Sequence, residues 1–566
     1  MTFVADDEDF NLHMHDAETI TAAANQTNSL FNQDKIYLDA FHQESGAGGA
    51  RYPAATQAVK DEFNSGTLIF NYTGHGGFRR LAEEVVLDQD VINSLNNPNR
   101  LPLIVTATCD FAPYDDPRIH SIGEDILLRE KTGAIALMTT TRLVFAFSNR
   151  VMNQNYLQIA LQKKPDGKYR RLGEAVKEAK NYTYQTFADI NNNRKFTLLG
   201  DPALTVSFPA FAVNTATING KPVSNTDTIR ALDHCTVTGI VRDAVGNVQS
   251  NFNGNLQVAV FDKPQTAKTL GNDPESFPEN FSVQTSLIYR GKATVRNGEF
   301  IFDFIVPKDI NYQFGPGTIS YYVENGSVDG NGKYNGFIVG GSGAGSSDNL
   351  GPEIKAWLND EKFVNGGITN ETPILIMKLQ DSSGINILGT GIGHDLVAEL
   401  DGDSKSTFVL NRFYEADQDN FRKGSVRYQL PAISEGNHVL KLKAWDVANN
   451  SSEMVLEFSV RKKEDLVLDH VLNYPNPFTT NTNFWFDHNH PFEPLQVNIR
   501  IFTVTGKLVK TIAKTIISEG NRSTELEWNG RDDYGDKVGR GVYIYILNVR
   551  TSDGRSANKI EKLLIL

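Results

Sequence analysis

Cysteine is scarce in this chain, and the two cysteines present, Cys109 and Cys235, cannot form a disulfide framework. No apolar run reaches the roughly 18 residues of a membrane-spanning helix. The N-terminus lacks the charged, apolar and small-residue regions of a secretory signal peptide. Because disulfides do not support the fold, each domain must be stabilised by its own core. Because Met1 runs at once into an apolar strand pattern, we expect the chain to be the C-terminal part of a longer protein rather than one that lacks export.

Basic residues are outnumbered, since 55 Lys and Arg stand against 68 Asp and Glu for a net charge of −13. A chain without a broad basic surface is not expected to bind nucleic acid. Hydrophobic residues at 40% and charged residues at 22% exclude a disordered or fibrous chain. At roughly 150 residues a domain, the length of 566 residues suggests about four domains.

Residues 1–207 alternate short apolar runs with amphipathic stretches, which predicts an α/β domain with an open, mostly parallel sheet. Such sheets place their sites at the carboxyl ends of the strands. The predicted strands are Phe3–Ala5, Ile36–Leu38, Thr67–Tyr72, Leu101–Thr106 and Ala134–Thr139. The predicted helices are Asp16–Phe31, Ala54–Phe63, Asp88–Leu95, Ile122–Glu130 and Ser148–Gln162.

The pattern changes after residue 207 to short β runs separated by Asn-Gly, Gly-Asn and Asp-Gly turns, which indicates β-sandwich modules. Residues 339–347 are rich in Gly and Ser and predict a flexible linker. We therefore predict a first β module over 208–345, a second over 346–465 and a C-terminal module over 466–566.

Two strand ends carry the residues with catalytic chemistry. The predicted strand Thr67–Tyr72 leads into Gly74-His75-Gly76-Gly77, and the predicted strand Leu101–Thr106 leads to Cys109. With one helix between them, the strands should be near neighbours, which brings His75 and Cys109 to the same sheet edge. An imidazole beside a thiol favours the nucleophilic thiolate. The amides of Gly76 and Cys109 are then plausible oxyanion donors. The alternative is that Cys109 is a small core residue and Gly-His-Gly a tight turn.

These motifs resemble the gingipain-like cysteine peptidases, a family with a caspase-like fold. The resemblance rests on Asn71–Gly76, on the spacing from His75 to Cys109 and on Leu199–Ala203. It implies that His75 and Cys109 are the catalytic pair. It also implies that the N-terminal β-rich half of the family and its first catalytic subdomain precede this chain.

Further stretches are similar to the sortase branch of this family, which serves type IX secretion. In the first three domains they are Phe3–Asp9 with His13, Gly391–His394 and Ala444–Asp446. Residues 466–566 resemble the sorting domain of that pathway. The matching stretches are Asn473–Phe478, Ile501–Gly506, Trp528–Asp532 and Gly541–Tyr543.

The resemblance implies a bacterial surface enzyme at the outer membrane that removes C-terminal sorting domains from exported cargo. The implied thioester on Cys109 is resolved by water or by an amine of surface lipopolysaccharide, which would attach the cargo. The implied partners are cargo proteins with sorting domains, the lipopolysaccharide amine acceptor and outer-membrane attachment-complex proteins such as PorV. Two alternatives remain: a general secreted protease of the same family, and a non-enzymatic β-modular adhesin with an inactive peptidase domain.

The acidic run Asp6–Asp9 is expected to supply the carboxylate that orients His75, either Asp7 or Glu8. The alternative is a solvated loop that caps the next helix. We predict neither a cofactor nor a metal among the catalytic residues, although calcium at this run is a further alternative. In relatives that cleave after Arg, an aspartate lies at the base of the specificity pocket. The corresponding position falls near His13 or Met14, so a preference for Arg or Lys is not expected.

Overall fold

In a computed structural model, which describes residues 1–224, 228–343, 345, 348–389, 391 and 393–566, residues 1–207 form an α/β domain. The strands of this domain are β1 (Thr2–Ala5), β2 (Asp34–Tyr37), β3 (Glu44–Gly46), β4 (Gly49–Arg51), β5 (Ile69–Thr73), β6 (Gly76–Gly77), β7 (Arg80–Leu81), β8 (Leu103–Ala107), β9 (Ala136–Thr140) and β10 (Phe196–Leu199). The main sheet has the strand order β10-β9-β8-β5-β1-β2 and is parallel except for β10. The predicted open, mostly parallel sheet is confirmed.

Helices cover both faces of this sheet, which explains why its strands are apolar along their whole length. Val4, Phe70 and Ile104 enter the core on one face. Phe3 and Val105 enter the core on the other. The helices are α1 (Leu12–Thr27), α2 (Pro53–Ser65), α3 (Gln89–Ser94), α4 (Ile122–Leu128), α5 (Ala146–Ala160), α6 (Leu172–Phe187) and α7 (Ile190–Lys195), with a 3₁₀ turn at Leu38–Ala40. None of the helices described is both long and apolar enough to span a bilayer.

The largest boundary error concerns α1, which was predicted over Asp16–Phe31 and begins four residues earlier, at Leu12. Asn11 precedes it in a left-handed conformation with φ 61°, and the helix ends at Thr27, four residues before the predicted end. The helices α6 and α7 and the strand β10 were not predicted, although α6 buries Leu172, Ala175, Val176 and Ala179 at helical spacing.

The middle of the chain is a β region with one shared hydrophobic core. A 12-stranded sheet crosses from the first predicted β module to the second where strand Leu287–Arg296 pairs with strand Tyr414–Gln418. A single buried cluster extends from Val213 to Val460. The strands of the first module are β11 (Phe211–Ile218), β12 (Lys221–Pro222), β13 (Thr228–Ala231), β14 (His234–Arg242), β15 (Gly254–Phe261), β16 (Gln265–Lys268), β17 (Asn280–Val283), β18 (Leu287–Arg296), β19 (Glu299–Ile305), β20 (Gly315–Pro316), β21 (Thr318–Glu324), β22 (Asp329–Tyr334) and β23 (Ile338–Ser342). Those of the second are β24 (Glu353–Leu358), β25 (Ile368–Thr369), β26 (Ile374–Gln380), β27 (Val397–Leu400), β28 (Thr407–Val409), β29 (Tyr414–Gln418), β30 (Asn420–Gln429), β31 (Gly436–Trp445) and β32 (Ser451–Val460), with 3₁₀ turns at Ser404–Ser406 and Asn411–Phe413.

The predicted linker 339–347 is only partly described, since residues 344, 346 and 347 lie outside the described residues. Its first part is not a linker, because strand β23 continues to Ser342 and pairs with β13 and β20. Glycines fit into β23 because strand pairing needs only backbone hydrogen bonds. The domain boundaries themselves stay predictions.

The C-terminal module forms two facing sheets with a separate core around Phe486, Ile499 and Tyr545. The strands are β33 (Leu468–Tyr474), β34 (Thr482–His488), β35 (Pro494–Thr503), β36 (Leu508–Ile517), β37 (Arg522–Trp528), β38 (Gly541–Thr551) and β39 (Ser556–Ile565). One sheet has the order β33-β34-β37 and the other β36-β35-β38-β39.

A hairpin of the first β module contacts the α/β domain. The loop between β16 and β17 is bound by Asp39, whose buried carboxylate accepts the backbone N–H groups of Gly271 and Asn272, both at 2.8 Å. The Asn272 side chain donates to the same carboxylate at 2.9 Å. Farther along this loop, Asn11 donates to the carbonyl of Phe277 at 2.8 Å. The loop therefore supports the segment that joins β1 to α1.

Replacing Asp39 by alanine should destabilise the α/β domain. The change leaves the donors of Gly271 and Asn272 without their acceptor, which costs about 1–3 kcal/mol. Urea denaturation should show the loss in the transition that unfolds residues 1–207. Glu44→Ala, which removes an exposed carboxylate from the nearby β3, is the matched control and should change stability by less than about 0.5 kcal/mol. Equal losses in both variants would contradict this account.

Candidate active site

The carboxyl ends of β5 and β8 lie side by side, as the chain order of the two strands predicts. Their parallel register pairs Thr73 with Ala107, and the N–H of Gly74 donates to the carbonyl of Ala107 at 3.3 Å. His75 and Cys109 each follow two residues after this pair. The sheet thus brings the two predicted catalytic residues to one edge.

The backbone of His75 is held firmly by buried groups. Its N–H donates to the Asp6 carboxylate at 2.7 Å, and its carbonyl accepts the Tyr72 hydroxyl at 2.6 Å. A Cβ at Gly74 would lie 2.4 Å from the Cβ of Asp6, so only glycine allows this close approach of the two loops. The glycine before the histidine is therefore needed to seat His75 against Asp6.

The imidazole of His75 contacts Asp9 rather than either predicted acid. Its Nε2 lies 3.0 Å from the Asp9 carboxylate, which also lies 3.3 Å from Nε2 of His13. The two imidazoles meet edge to face with their centroids 5.1 Å apart. Burial, and then the nearby charge of His75, lower the pKa of His13 to about 4, so His13 is neutral at pH 7. Within the described part of the chain, Nδ1 of His75 makes no hydrogen bond, because only Nε2 is paired with Asp9.

Asp7 and Glu8, the predicted orienting acids, take other positions. Asp7 is 2% exposed and accepts the Tyr52 hydroxyl at 2.5 Å, away from the imidazole. Burial raises the pKa of the Asp7 carboxyl to about 8. Burial also raises the pKa of Glu8, although the nearby charge of His75 acts to lower it. Asp9 reaches the imidazole because it lies in a left-handed turn with φ 58° that folds the chain back. The alternative of a solvated loop is wrong for Asp6 and Asp7, which are both buried.

Cys109 is partly exposed, with Sγ 3.8 Å from the carbonyl of Val144. Its amide N–H has no hydrogen-bond partner among the described residues, so this predicted oxyanion donor is free. Gly76, the other predicted donor, packs closely against Thr108, since a Cβ there would lie 2.8 Å from the Thr108 hydroxyl. Gly76 thus lies beside the residue that precedes Cys109, and the role of the two amides stays a prediction. Cys235 is fully buried in the β core, as a structural thiol would be.

An exposed apolar loop adjoins the thiol and was not predicted to be functional. It follows β9 and presents Leu143 and Phe145, which are 69% and 70% exposed, and Phe147 in the first turn of α5 is 59% exposed. Because the carbonyl of Val144 in the same loop contacts Sγ of Cys109, the loop lies directly beside the thiol. The sequence signal was available, since the run Leu-Val-Phe-Ala-Phe begins three residues after the end of a buried strand.

Comparison with known proteins gives a family for the N-terminal domain. Residues 1–207 match the model of peptidase family C25. Among solved structures, the chain is 30% identical to latent dimeric PorU from Porphyromonas gingivalis, over 77% of this chain and 41% of that one, with a TM-score of 0.30. It is 17% identical to the Arg-specific cysteine proteinase gingipain R, over 60% of this chain and 66% of that one, with a TM-score of 0.32. The chain thus spans less than half of the PorU chain. No curated protein matches it.

Replacing Asp9 by asparagine should slow alkylation of Cys109 by iodoacetamide about two- to fivefold at pH 7. The change removes the negative charge beside His75, and a partly exposed ion pair contributes about 0.5–1 kcal/mol. Asp115→Asn is the control, because Asp115 lies on the loop after Cys109 but pairs with Arg142 at 2.7 Å. If Asp9→Asn reacts as fast as the control, Asp9 does not assist His75.

Proposed function

Residues 1–207 belong to peptidase family C25, and from this membership we propose that the chain is the catalytic and C-terminal part of a surface cysteine peptidase that acts as a sortase. The domain is a cysteine-peptidase domain of the gingipain type. The observation that carries the proposal is the placement of His75 and Cys109 at the paired ends of β5 and β8.

In the proposed reaction, Nδ1 of His75 takes the proton of the Cys109 thiol, and the thiolate attacks the carbonyl carbon of the scissile peptide bond. The amides of Gly76 and Cys109 donate to the oxyanion of the tetrahedral intermediate. The intermediate collapses to a thioester as the C–N bond breaks, and His75 returns its proton to the leaving amine. Asp9 stabilises the imidazolium during these steps and fixes the orientation of the ring.

The thioester is then cleaved by water or by an amine. Attack by water releases the cargo, whereas attack by an amine of lipopolysaccharide forms a new amide bond and restores the Cys109 thiol. The sortase role is supported by the resemblance of residues 466–566 to sorting domains. We propose that cargo proteins with such domains are the substrates and that attachment-complex proteins of the outer membrane such as PorV are partners at the cell surface.

A general protease of the same family is the second candidate, and specificity separates the two. Cleavage after Arg or Lys needs an unpaired carboxylate in the pocket. His13 and Met14, where the sequence comparison places that position, are not acids, and the nearby acids are already paired. Asp9 lies between His13 and His75, and Asp16 pairs with Arg150 at 3.1 Å. This supports a pocket for small or uncharged polar residues.

Cys109→Ala should abolish both covalent labelling by a peptidyl acyloxymethyl ketone and cargo processing by the full-length protein. The residue is partly exposed, so its loss should change the stability by less than about 0.5 kcal/mol. His75→Ala should also abolish processing while leaving Cys109 open to slow alkylation at high pH. Labelling by mass spectrometry and thermal unfolding measure these effects, with Cys235→Ala as the control that keeps labelling. Processing by Cys109→Ala would refute the peptidase proposal.

A peptide panel that varies only the residue before the scissile bond should show a preference for small or uncharged polar residues. An unpaired cation would find no free carboxylate in the pocket, so Arg and Lys peptides should be the poorer substrates. The measurement is kcat/KM on the full-length enzyme for each peptide. A preference for Arg or Lys of about tenfold, equal to about 1.4 kcal/mol in the transition state, would favour the general protease instead.

A further inference from the structure

The segment between β1 and α1 contains a left-handed turn next to the imidazole of His75. Asp9, Phe10 and Asn11 follow one another with φ angles of 58°, 59° and 61°. The left-handed region is unfavourable for residues with a Cβ, and a phenylalanine tolerates it less well than an asparagine or an aspartate. Because the Phe10 side chain is 64% exposed, its own packing contributes little to holding this conformation. The turn therefore depends on contacts made by its neighbours.

Asn11 ends this turn and does not cap the helix that follows it. An asparagine directly before a helix usually accepts a backbone N–H of the first turn. Within the described residues, the side chain of Asn11 makes no such bond to α1. The residue is nevertheless buried, at 3% exposure. The helix thus gives up a capping bond, and the buried amide serves another contact.

The amide of Asn11 binds the loop between β16 and β17. Its Nδ2 donates to the carbonyl of Phe277 at 2.8 Å, and its Oδ1 accepts the N–H of the same residue at 3.1 Å. Nδ2 also donates to the carboxylate of Glu279 at 3.1 Å. The donor and acceptor groups of the primary amide are thus all in use. Two bonds to the backbone of one residue fix both the position and the direction of the Asn11 side chain.

The loop that receives Asn11 is itself packed in place on the α/β domain. Its backbone is bound by Asp39, as described above. In the same hairpin, Phe281 contacts Tyr37 with ring centroids 4.8 Å apart. Phe281 also shares a buried cluster with Met14 of α1. Asn11 is therefore held by a fixed partner on the first β module.

At the other end of the turn, the carboxylate of Asp9 contacts only imidazoles among the described residues. It lies 3.0 Å from Nε2 of His75 and 3.3 Å from Nε2 of His13. Its side chain is 45% exposed, so burial does not hold it in place. The position of this carboxylate is therefore set by the backbone of the turn, which ends at Asn11.

We propose that Asn11 is a positioning residue for His75, which acts by holding the left-handed turn that presents Asp9 to the imidazole. The bonds of Asn11 are made to the hairpin and not to the reacting atoms. A loop of the first β module thereby contributes to the geometry of the peptidase domain. The inference rests on the proposed role of His75 in catalysis, whereas its test follows the contact between the imidazole and Asp9 directly.

The test variant is Asn11→Gly, which removes the amide but keeps a residue that favours the left-handed conformation. The matched control is Asn99→Gly, the same change at an exposed asparagine of the same domain with φ 63°. The readout is the ¹⁵N NMR spectrum of the histidine side chains in the full-length protein at about pH 8, where a free imidazole is neutral. His75→Gln assigns the ring. Because a carboxylate only accepts, contact with Asp9 keeps a proton on Nε2 of His75.

Asn11→Gly should move the Nε2 resonance of His75 to the position found in Asp9→Asn, because the carboxylate no longer holds the proton there. Asn99→Gly should leave the resonance where it is in the parent. Alkylation of Cys109 by iodoacetamide should fall about two- to fivefold in Asn11→Gly. The double variant with Asp9→Asn should react no more slowly than Asp9→Asn alone, since both changes remove the same interaction.

Two results would overturn the proposal. One is a His75 resonance in Asn11→Gly that matches the parent, since the contact would then persist without the amide. The other is a double variant slowed by the product of the two single effects, which would make Asn11 a general stabiliser of the fold. If thermal unfolding shows that Asn11→Gly does not fold, Asp39→Ala, which loosens the same hairpin, takes its place with the same readouts. Neither result concerns the nucleophile, which the processing assay with Cys109→Ala tests separately.

Discussion

The hydrogen bond from the N–H of His75 to the buried carboxylate of Asp6 links the strand end that carries the histidine to the neighbouring strand β1. The backbone N–H of Asp6 donates to the carbonyl of Thr73 at 3.1 Å, so two hydrogen bonds join the loop after β1, which carries Asp9, to the loop after β5. Gly74 makes the bond sterically feasible, and the pairing of β5 with β8 brings Cys109 to the same edge. The candidate active site therefore depends on the hydrogen bond between the backbone of His75 and the buried carboxylate of Asp6.

The strong apolar runs of the first domain allowed most of the sheet to be predicted, because strands buried on both faces have few polar residues. The positions of His75 and Cys109 followed from the same reasoning, since parallel strands with one intervening helix share an edge. What could not be predicted was the partner of His75. Choosing among Asp7, Glu8 and Asp9 requires the left-handed turn at Asp9, and the acidic run alone does not specify it.

The β region shows a similar limit of sequence reasoning. Short strands and turn residues identify its class, but they do not show which strands pair across a Gly-rich stretch. The pairing of β18 with β29 joins the two predicted middle modules in one sheet, and one core continues through both. Long-range pairing of this kind depends on tertiary packing, whereas the C-terminal module has its own core and is recognisable from its local motifs.

The loop between β16 and β17 determines how long a fragment must be to contain the whole catalytic unit. It belongs by sequence to the first β module, yet it binds Asp39 and Asn11 of the α/β domain, and Asn11 is two residues from Asp9. A fragment cut at residue 207 would lose these contacts and expose the acceptors and donors that they satisfy. The smallest self-sufficient catalytic fragment must therefore reach past Val283, and chimeras that exchange the peptidase domain among relatives need to carry this hairpin with it.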